Sequence, residues 1–128
     1  MAIELSWDDD AQTVLVCRYL GAWSVEDIYD AVNSSSDILA TVPYEVDIVL
    51  DFSRGAMNTE LSAPIVSVSR KTPRNQRLLI VCGAPSLFKS LEGSASRTFQ
   101  NIQFVRHMGE ARDAIYDARE ARSARARR

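Results

Sequence analysis

Two acidic residues in the middle of the chain are the first candidates for chemistry. Asp47 and Asp51 lie four residues apart in the stretch EVDIVLDF, Glu45 to Phe52. In an extended strand they share one face and are separated by about 13 Å. Carboxyl pairs that hydrolyse glycosidic bonds are separated by roughly 5 to 9.5 Å. The sequence therefore excludes such a pair and predicts instead that Asp51 accepts backbone N–H bonds from the loop that follows it.

Hydroxyl groups near two predicted helix starts form the second group of candidates. A helix amino terminus carries unpaired N–H groups and a partial positive charge, so it stabilises an anion or a phosphoserine. An arginine nearby would add a charge-assisted bond. The alternative is that the hydroxyl residues are plain N-caps, worth about 1 kcal/mol each. The candidate partner or anion site comprises Asp51, Ser53, Arg54, Thr59, Ser62 and Ser86.

The sequence lacks the residue patterns of common enzymes and metal centres. One histidine, His107, and two cysteines, Cys17 and Cys82, are too few for a histidine-rich metal site and do not have zinc-finger spacing. The chain contains neither a Gly-x-Ser-x-Gly elbow nor a glycine-rich phosphate-binding motif. Both cysteines lie in apolar runs, which predicts reduced, buried thiols. We expect no catalytic residue, no metal and no cofactor.

Length and composition predict one globular domain. The chain has 128 residues, of which 46% are hydrophobic and 25% charged, values typical of a single soluble domain. No apolar run approaches the roughly 20 residues that span a bilayer. The amino-terminal stretch MAIELSWDDD has neither the basic start nor the apolar core of a signal peptide. These features predict a cytoplasmic protein without a membrane span.

Charge is divided unevenly along the chain. Residues 1–60 carry 12 acids and 2 bases, whereas residues 61–128 carry 5 acids and 13 bases. Such polarity can orient a partner or favour head-to-tail self-association, unless the two halves interleave in space and cancel. Together with an open sheet edge, the charge division indicates a homodimer.

A basic stretch follows the predicted last helix. A basic arm can bind the phosphates of nucleic acid. However, no aromatic residues for base stacking are interleaved with the bases, and the whole chain has a net charge of −2. We therefore expect residues 119–128 to be a basic, frayed and solvated extension of the last helix, and nucleic-acid binding ranks third among the functional hypotheses. The bases of this extension are Arg119, Arg122, Arg125, Arg127 and Arg128.

The elements that position these residues follow from hydrophobic period and turn signals. The predicted strands cover residues 3–7, 14–20, 46–52, 78–82 and 102–105. The predicted helices cover residues 24–42, about 60–72, 85–99 and 110–118. The order β-β-α-β-α-β-α-β-α predicts an α/β fold with a mixed, mainly parallel sheet of about five strands and an antiparallel N-terminal hairpin. Residues 1–118 would form the single domain.

The element order and two short motifs resemble the STAS domain. LDFS at Leu50 to Ser53 is followed about ten residues later by a serine at a helix start, as in bacterial anti-sigma-factor antagonists and the cytoplasmic tails of sulfate transporters. The GAW-S-x-E segment at Gly21 to Glu26 and the VDIVLDF strand look like the small single-domain branch of that superfamily. The resemblance covers residues 3 to about 118. It implies a non-enzymatic regulatory domain that contacts a protein or small anionic ligand at the central strand's end and the second helix's start.

The resemblance also implies a modification site. STAS antagonists usually carry an Asp-Ser-Ser-Gly-type motif whose serine is phosphorylated to break partner binding. The corresponding stretch here is NTELSA, residues 58–63. An ungapped comparison from the strand places Leu61 at the modified position, and a one-residue shift places Ser62 there. Ser62 is the candidate phosphorylation site.

Aromatic residues near the hairpin support an alternative function. Trp7, Trp23 and Tyr29 are spaced such that they could line a pocket against the hairpin. Such a pocket would make the chain a carrier of a lipid or another apolar ligand, a function also suggested by the similar shape of lipid-exchange domains. The competing interpretation is that these side chains belong to the core.

Overall fold

A computed structural model describes residues 3–21, 24–54, 74–83 and 102–126 of the chain. In chain order, these residues form β1 (Ile3–Trp7), β2 (Val14–Tyr19), α1 (Val25–Ala40), β3 (Val46–Asp51), β4 (Gln76–Cys82), β5 (Ile102–Val105) and α2 (Met108–Ala126). The predicted second and third helices fall on residues 55–73 and 84–101, which lie outside the described ranges.

The five strands form one sheet whose spatial order is the same as their order in the chain. β1 and β2 are antiparallel, with Ile3 opposite Tyr19. β2, β3, β4 and β5 are parallel to one another. The predicted α/β class, the mainly parallel sheet and the antiparallel hairpin are therefore confirmed.

The hairpin turn is organised by the side chain of Asp9. Its Oδ1 accepts hydrogen bonds from the backbone N–H groups of Thr13, at 2.8 Å, and Val14, at 2.9 Å. Its Oδ2 accepts the Thr13 hydroxyl. Burial alone would raise the pKa of Asp9, but these hydrogen bonds stabilise the carboxylate and the pKa is lowered overall. The aspartate-rich turn thus supplies its own capping group.

Both ends of α1 are fixed by side-chain hydrogen bonds. At the start, Ser24 and Asp27 form a capping box, in which Asp27 Oδ2 accepts the Ser24 N–H at 2.8 Å. Just beyond the end, the Asn75 amide donates to the carbonyl oxygens of Leu39, at 3.0 Å, and Tyr44, at 3.1 Å. Asn75 immediately precedes β4, so it ties the helix end to the sheet.

Successive residues of β3 point into two separate core layers. Val46 and Ile48 pack with buried residues of α1, and Val49 packs with buried residues of α2. The two helices therefore cover opposite faces of the sheet. Cys17 and Cys82 are both buried and reduced, one in each layer, as predicted.

Helix α2 continues in regular form to Ala126, beyond the predicted domain boundary at residue 118 and into the segment that was expected to be frayed. The prediction was based on the loss of apolar residues after Ala118. Beyond the apolar stripe, polar contacts hold the helix against the sheet. Arg119 binds a buried carboxylate, and Arg122 lies beside the same group. The arginine-rich segment is thus part of the helix as far as Ala126.

Candidate functional site

The turn after β3 is built on the buried carboxylate of Asp51. This side chain is 5% exposed, and its Oδ1 accepts the Ser53 N–H at 3.0 Å and the Ser53 hydroxyl at 2.5 Å. A carboxylate that bonds the residue two positions ahead closes an Asx turn. The predicted role of Asp51, accepting N–H bonds from the loop, is therefore confirmed.

Cys82 and Gly83 form the base beneath this turn. Cys82 lies opposite Asp51 in the sheet, and its carbonyl oxygen accepts the Phe52 N–H at 2.9 Å. Burial, together with the nearby Asp51 carboxylate, raises the pKa of the Cys82 thiol to about 11. Gly83 has φ +72°, and a Cβ on it would come within 2.9 Å of Ser53 Cα and Cβ. Only glycine allows the two turns to approach this closely.

The outer side of the turn carries exposed polar groups. Ser53 and Arg54 are both exposed. The Arg54 carbonyl oxygen accepts the Gly21 N–H at 3.2 Å, which joins the turn to the end of β2. Within the described ranges the Arg54 guanidinium forms no ion pair. Thr59, Ser62 and Ser86, the other predicted site residues, lie outside those ranges.

The start of α2 follows β5 at the same edge of the sheet. Val105 accepts the Gly83 N–H at 3.0 Å, and the next residues begin the helix. His107 Nδ1 accepts the Glu110 N–H at 3.3 Å and so caps the first turn. A hydrogen bond from Arg106 stabilises the Glu110 carboxylate and lowers its pKa. The single histidine therefore has a local structural role.

Asp47 is a buried carboxylate whose hydrogen-bond partners could not be predicted from the sequence. It is 1% exposed, in the middle of the sheet. Its Oδ1 accepts the Leu78 N–H at 3.0 Å, and its Oδ2 accepts Arg119 Nε at 2.9 Å. Arg119 Nη2 also donates to the Thr13 carbonyl oxygen at 3.1 Å. The sequence offered two signals of this pair: an aspartate inside an apolar strand, and an arginine on the apolar stripe of a later helix.

The two strand carboxylates perform separate tasks. Asp47 joins α2 to the sheet, and Asp51 holds the turn at the opposite end of the same strand. Each carboxylate accepts hydrogen bonds from neighbouring groups of the protein, as carboxylates that stabilise a fold do.

Two of the three aromatic residues of the predicted carrier pocket, Trp7 and Tyr29, lie in the described part of the chain. Trp7 is half-buried and packs against the layer under α1. Tyr29 is 43% exposed, so its side chain is not part of the buried core. Trp23 lies outside the described residues.

The chain matches no protein-family model, no curated protein and no solved structure. In the described part of the chain, no helix has the length and apolar character needed to cross a membrane. The geometry of the carboxyl edge of the sheet is therefore the basis for assigning a function.

Proposed function

We propose that this chain is a non-enzymatic, STAS-like regulatory domain of the cytoplasm that binds a protein partner through the turn at Asp51 to Arg54. The observation that carries the proposal is the presentation of Ser53 and Arg54, both exposed, above a turn held by Asp51 and packed on Gly83. The LDFS motif and the element order supply the regulatory role.

The rigid base beneath the turn favours recognition over catalysis. A preorganised turn binds with a smaller entropic cost than a flexible one, because fewer groups become ordered on association. A guanidinium group binds carboxylate or phosphate through two parallel hydrogen bonds. The expected counterpart of Arg54 is thus an acidic or phosphorylated side chain of the partner.

Charge reversal at Arg54 tests the contact. The wild-type chain, Arg54→Glu and Arg74→Glu would each be tagged, expressed in the native cells and isolated with bound proteins for mass spectrometry. We expect a partner that is recovered with the wild-type chain and with Arg74→Glu but is lost with Arg54→Glu. Arg74 is a matched control because it is exposed and precedes β4, at the other end of the sheet. Identical protein sets from all three chains would reject the contact.

Ser62→Glu tests the regulatory part of the proposal separately. A glutamate introduces negative charge at the position that the resemblance marks for phosphorylation. We expect it to weaken binding of the same partner. Unchanged binding of Ser62→Glu combined with lost binding of Arg54→Glu would keep the contact and reject control by phosphorylation at this residue.

Native mass spectrometry of the gently purified protein distinguishes partner binding from the carrier function. The proposal predicts a chain without a bound lipid, unmodified or phosphorylated, alone or with a second protein. A stoichiometric lipid or other apolar molecule bound to the chain would instead establish the carrier.

A further inference from the structure

We propose that a groove at the amino edge of the sheet binds a small molecule that carries a phosphate or carboxylate group. The groove has a volume of about 500 Å³ and lies between the C-terminal half of α2 and the beginnings of β4 and β5. This volume is within the usual range for small-molecule sites. The groove is at the opposite end of β3 from the Asp51 turn, so this proposal is independent of the partner contact.

Positive charge exceeds negative charge on the α2 side of the groove. Asp47 Oδ2 lies 2.8 Å from Arg119 Nη2 and 3.8 Å from Arg122 Nη2. One buried carboxylate thus serves two guanidinium groups, and its direct hydrogen bond goes to Arg119. Arg122, which lines the groove, retains capacity to bind a second anion.

The other charged groups that line the groove also carry more positive than negative charge. Arg77 forms an ion pair with Glu45, and both side chains are about half exposed. Arg125 also lines the groove, and it forms no ion pair with any residue of the described ranges. Arg122 therefore shares the Asp47 carboxylate with Arg119, and Arg125 has no carboxylate partner in the described part of the chain. An anion would supply that partner, since guanidinium groups match the geometry of both carboxylate and phosphate.

The floor of the groove indicates what else the ligand contains. Leu78, which is 7% exposed, and the small side chains of Ala118 and Ala121 contribute apolar surface. Gln103 adds an amide that can both donate and accept hydrogen bonds. The site therefore fits a compact molecule with an apolar or aromatic body and one anionic group.

The binding test uses phenyl phosphate and benzoate, with phenol as the neutral comparison, in NMR titrations of the wild-type chain. We expect saturable shifts of the Gln103 side-chain amide and of Ala118 and Ala121 with at least one of the two anions, at millimolar or lower concentration. Phosphate recognition gives shifts with phenyl phosphate alone, and general anion recognition gives shifts with both. Phenol should bind much more weakly.

Arg125→Ala and Arg122→Gln test the assignment of the arginines. A charge-assisted hydrogen bond contributes roughly tenfold or more to affinity, so we expect at least that loss with either variant. Arg106→Ala is the matched control, because Arg106 is exposed at the other end of β5 and pairs with Glu110. Its affinity should equal that of the wild-type chain, and the spectra of all three variants should be unchanged away from the substituted residue.

Several results would overturn the proposal. One is the absence of saturable shifts with either anion. The others are shifts confined to residues outside the groove and binding of phenol as tight as that of its phosphate ester. An equal loss of affinity in Arg106→Ala and Arg125→Ala would also overturn it, because the effect would then reflect net charge alone.

Discussion

Asp47 has a carboxylate that is nearly inaccessible to water and depends on its protein partners. Moving a carboxylate out of water costs several kcal/mol unless donors replace the lost hydration. Leu78 and Arg119 supply those donors, one to each oxygen. The pair joins Asp47 in β3 to Arg119 in α2, two residues that are 72 positions apart in the chain.

Removing this carboxylate should destabilise the fold strongly. We expect Asp47→Ala to lower the free energy of unfolding by about 3 kcal/mol, because Arg119 and the Leu78 N–H lose their acceptor. Glu45→Ala, which removes an exposed ion pair with Arg77, should cost about 1 kcal/mol or less. Urea denaturation measures both. Equal costs for the two substitutions would show that burial of the Asp47 pair has no special energetic role.

Gly83 and Gly21 provide a second, internally controlled comparison. Both have positive φ, +72° and +60°, so alanine at either position is strained by roughly 1 to 2 kcal/mol. Only at Gly83 would the new Cβ also meet Ser53, whereas at Gly21 no atom of the described residues lies within 4 Å. We therefore expect Gly83→Ala to be the more destabilising in thermal melts and to shift the NMR signals of Ser53. Equal melting temperatures for the two variants would contradict the close approach of the turns.

The two cysteines should be inert in the folded protein. Burial raises the pKa of Cys17 to about 12, and burial with the Asp51 charge raises that of Cys82 to about 11. Because the thiolate is the reactive form, a disulfide reagent at pH 8 should modify neither thiol until denaturant is added. Spectrophotometric thiol titration checks this. Rapid modification of either cysteine without denaturant would place that thiol at an accessible surface.

At the scale of elements, helix α2 is connected to the hairpin as well as to the central strand. Arg112 Nε and Nη2 each lie 2.9 Å from a carboxylate oxygen of Asp8, a two-pronged ion pair. Further along the helix, Arg119 binds Asp47 and the Thr13 carbonyl oxygen. Two arginines separated by two helical turns therefore hold the helix to the hairpin and to the amino end of β3.

The Arg112–Asp8 pair makes part of the stability pH-dependent. Its hydrogen bond is the main cause of the lowered pKa of Asp8, whose ordinary value is 3.8. The stabilisation is therefore present above pH 3.8 and is lost as the pH falls through the pKa of the folded state. We expect Arg112→Met to be less stable than the wild-type chain at neutral pH, by at most about 1 kcal/mol because Arg112 is 55% exposed.

Chemical denaturation at a series of pH values measures this difference. The two unfolding free energies should converge in acid, below the pKa of Asp8. A difference that stays constant throughout the acid range would assign the effect to lost packing of the Arg112 side chain.

Elements with local signals could be predicted from the sequence, and those that depend on distant residues could not. The hairpin follows from alternation and the aspartates of its turn, and α1 follows from the Ser24 cap. The end of α2 depends on Arg119 meeting Asp47, and the need for Gly83 depends on its contact with Ser53. Neither contact leaves a local pattern, because each partner is supplied by a separate strand or turn.

For the molecule as a whole, the charge division seen in the sequence is partly preserved in space. Helix α1 carries four acids, Glu26, Asp27, Asp30 and Asp37, and no base. The C-terminal half of α2, on the opposite face of the sheet, is rich in arginine. Contacts between the acidic face of one molecule and the basic face of another would be head-to-tail.

We expect salt-sensitive self-association from this arrangement. At low ionic strength, light scattering should report a mass above that of the monomer that increases with protein concentration, because head-to-tail contacts that do not close into a ring can add further molecules. Added salt should reduce the mass towards 14.3 kDa by screening. A fixed dimer mass at every salt concentration would instead indicate the closed homodimer. A monomer under all conditions would exclude both modes.

The identity of spatial and chain order in the sheet has a consequence for biosynthesis. Each strand pairs with the one made just before it, so the sheet can grow strand by strand as the polypeptide emerges from the ribosome. Helix α2 is synthesised after all five strands, yet it binds Asp8 in the first connection and Asp47 in β3. The buried carboxylate of Asp47 therefore lacks its arginine partner until α2 has been synthesised, so this hydrogen bond forms after the strands have been made.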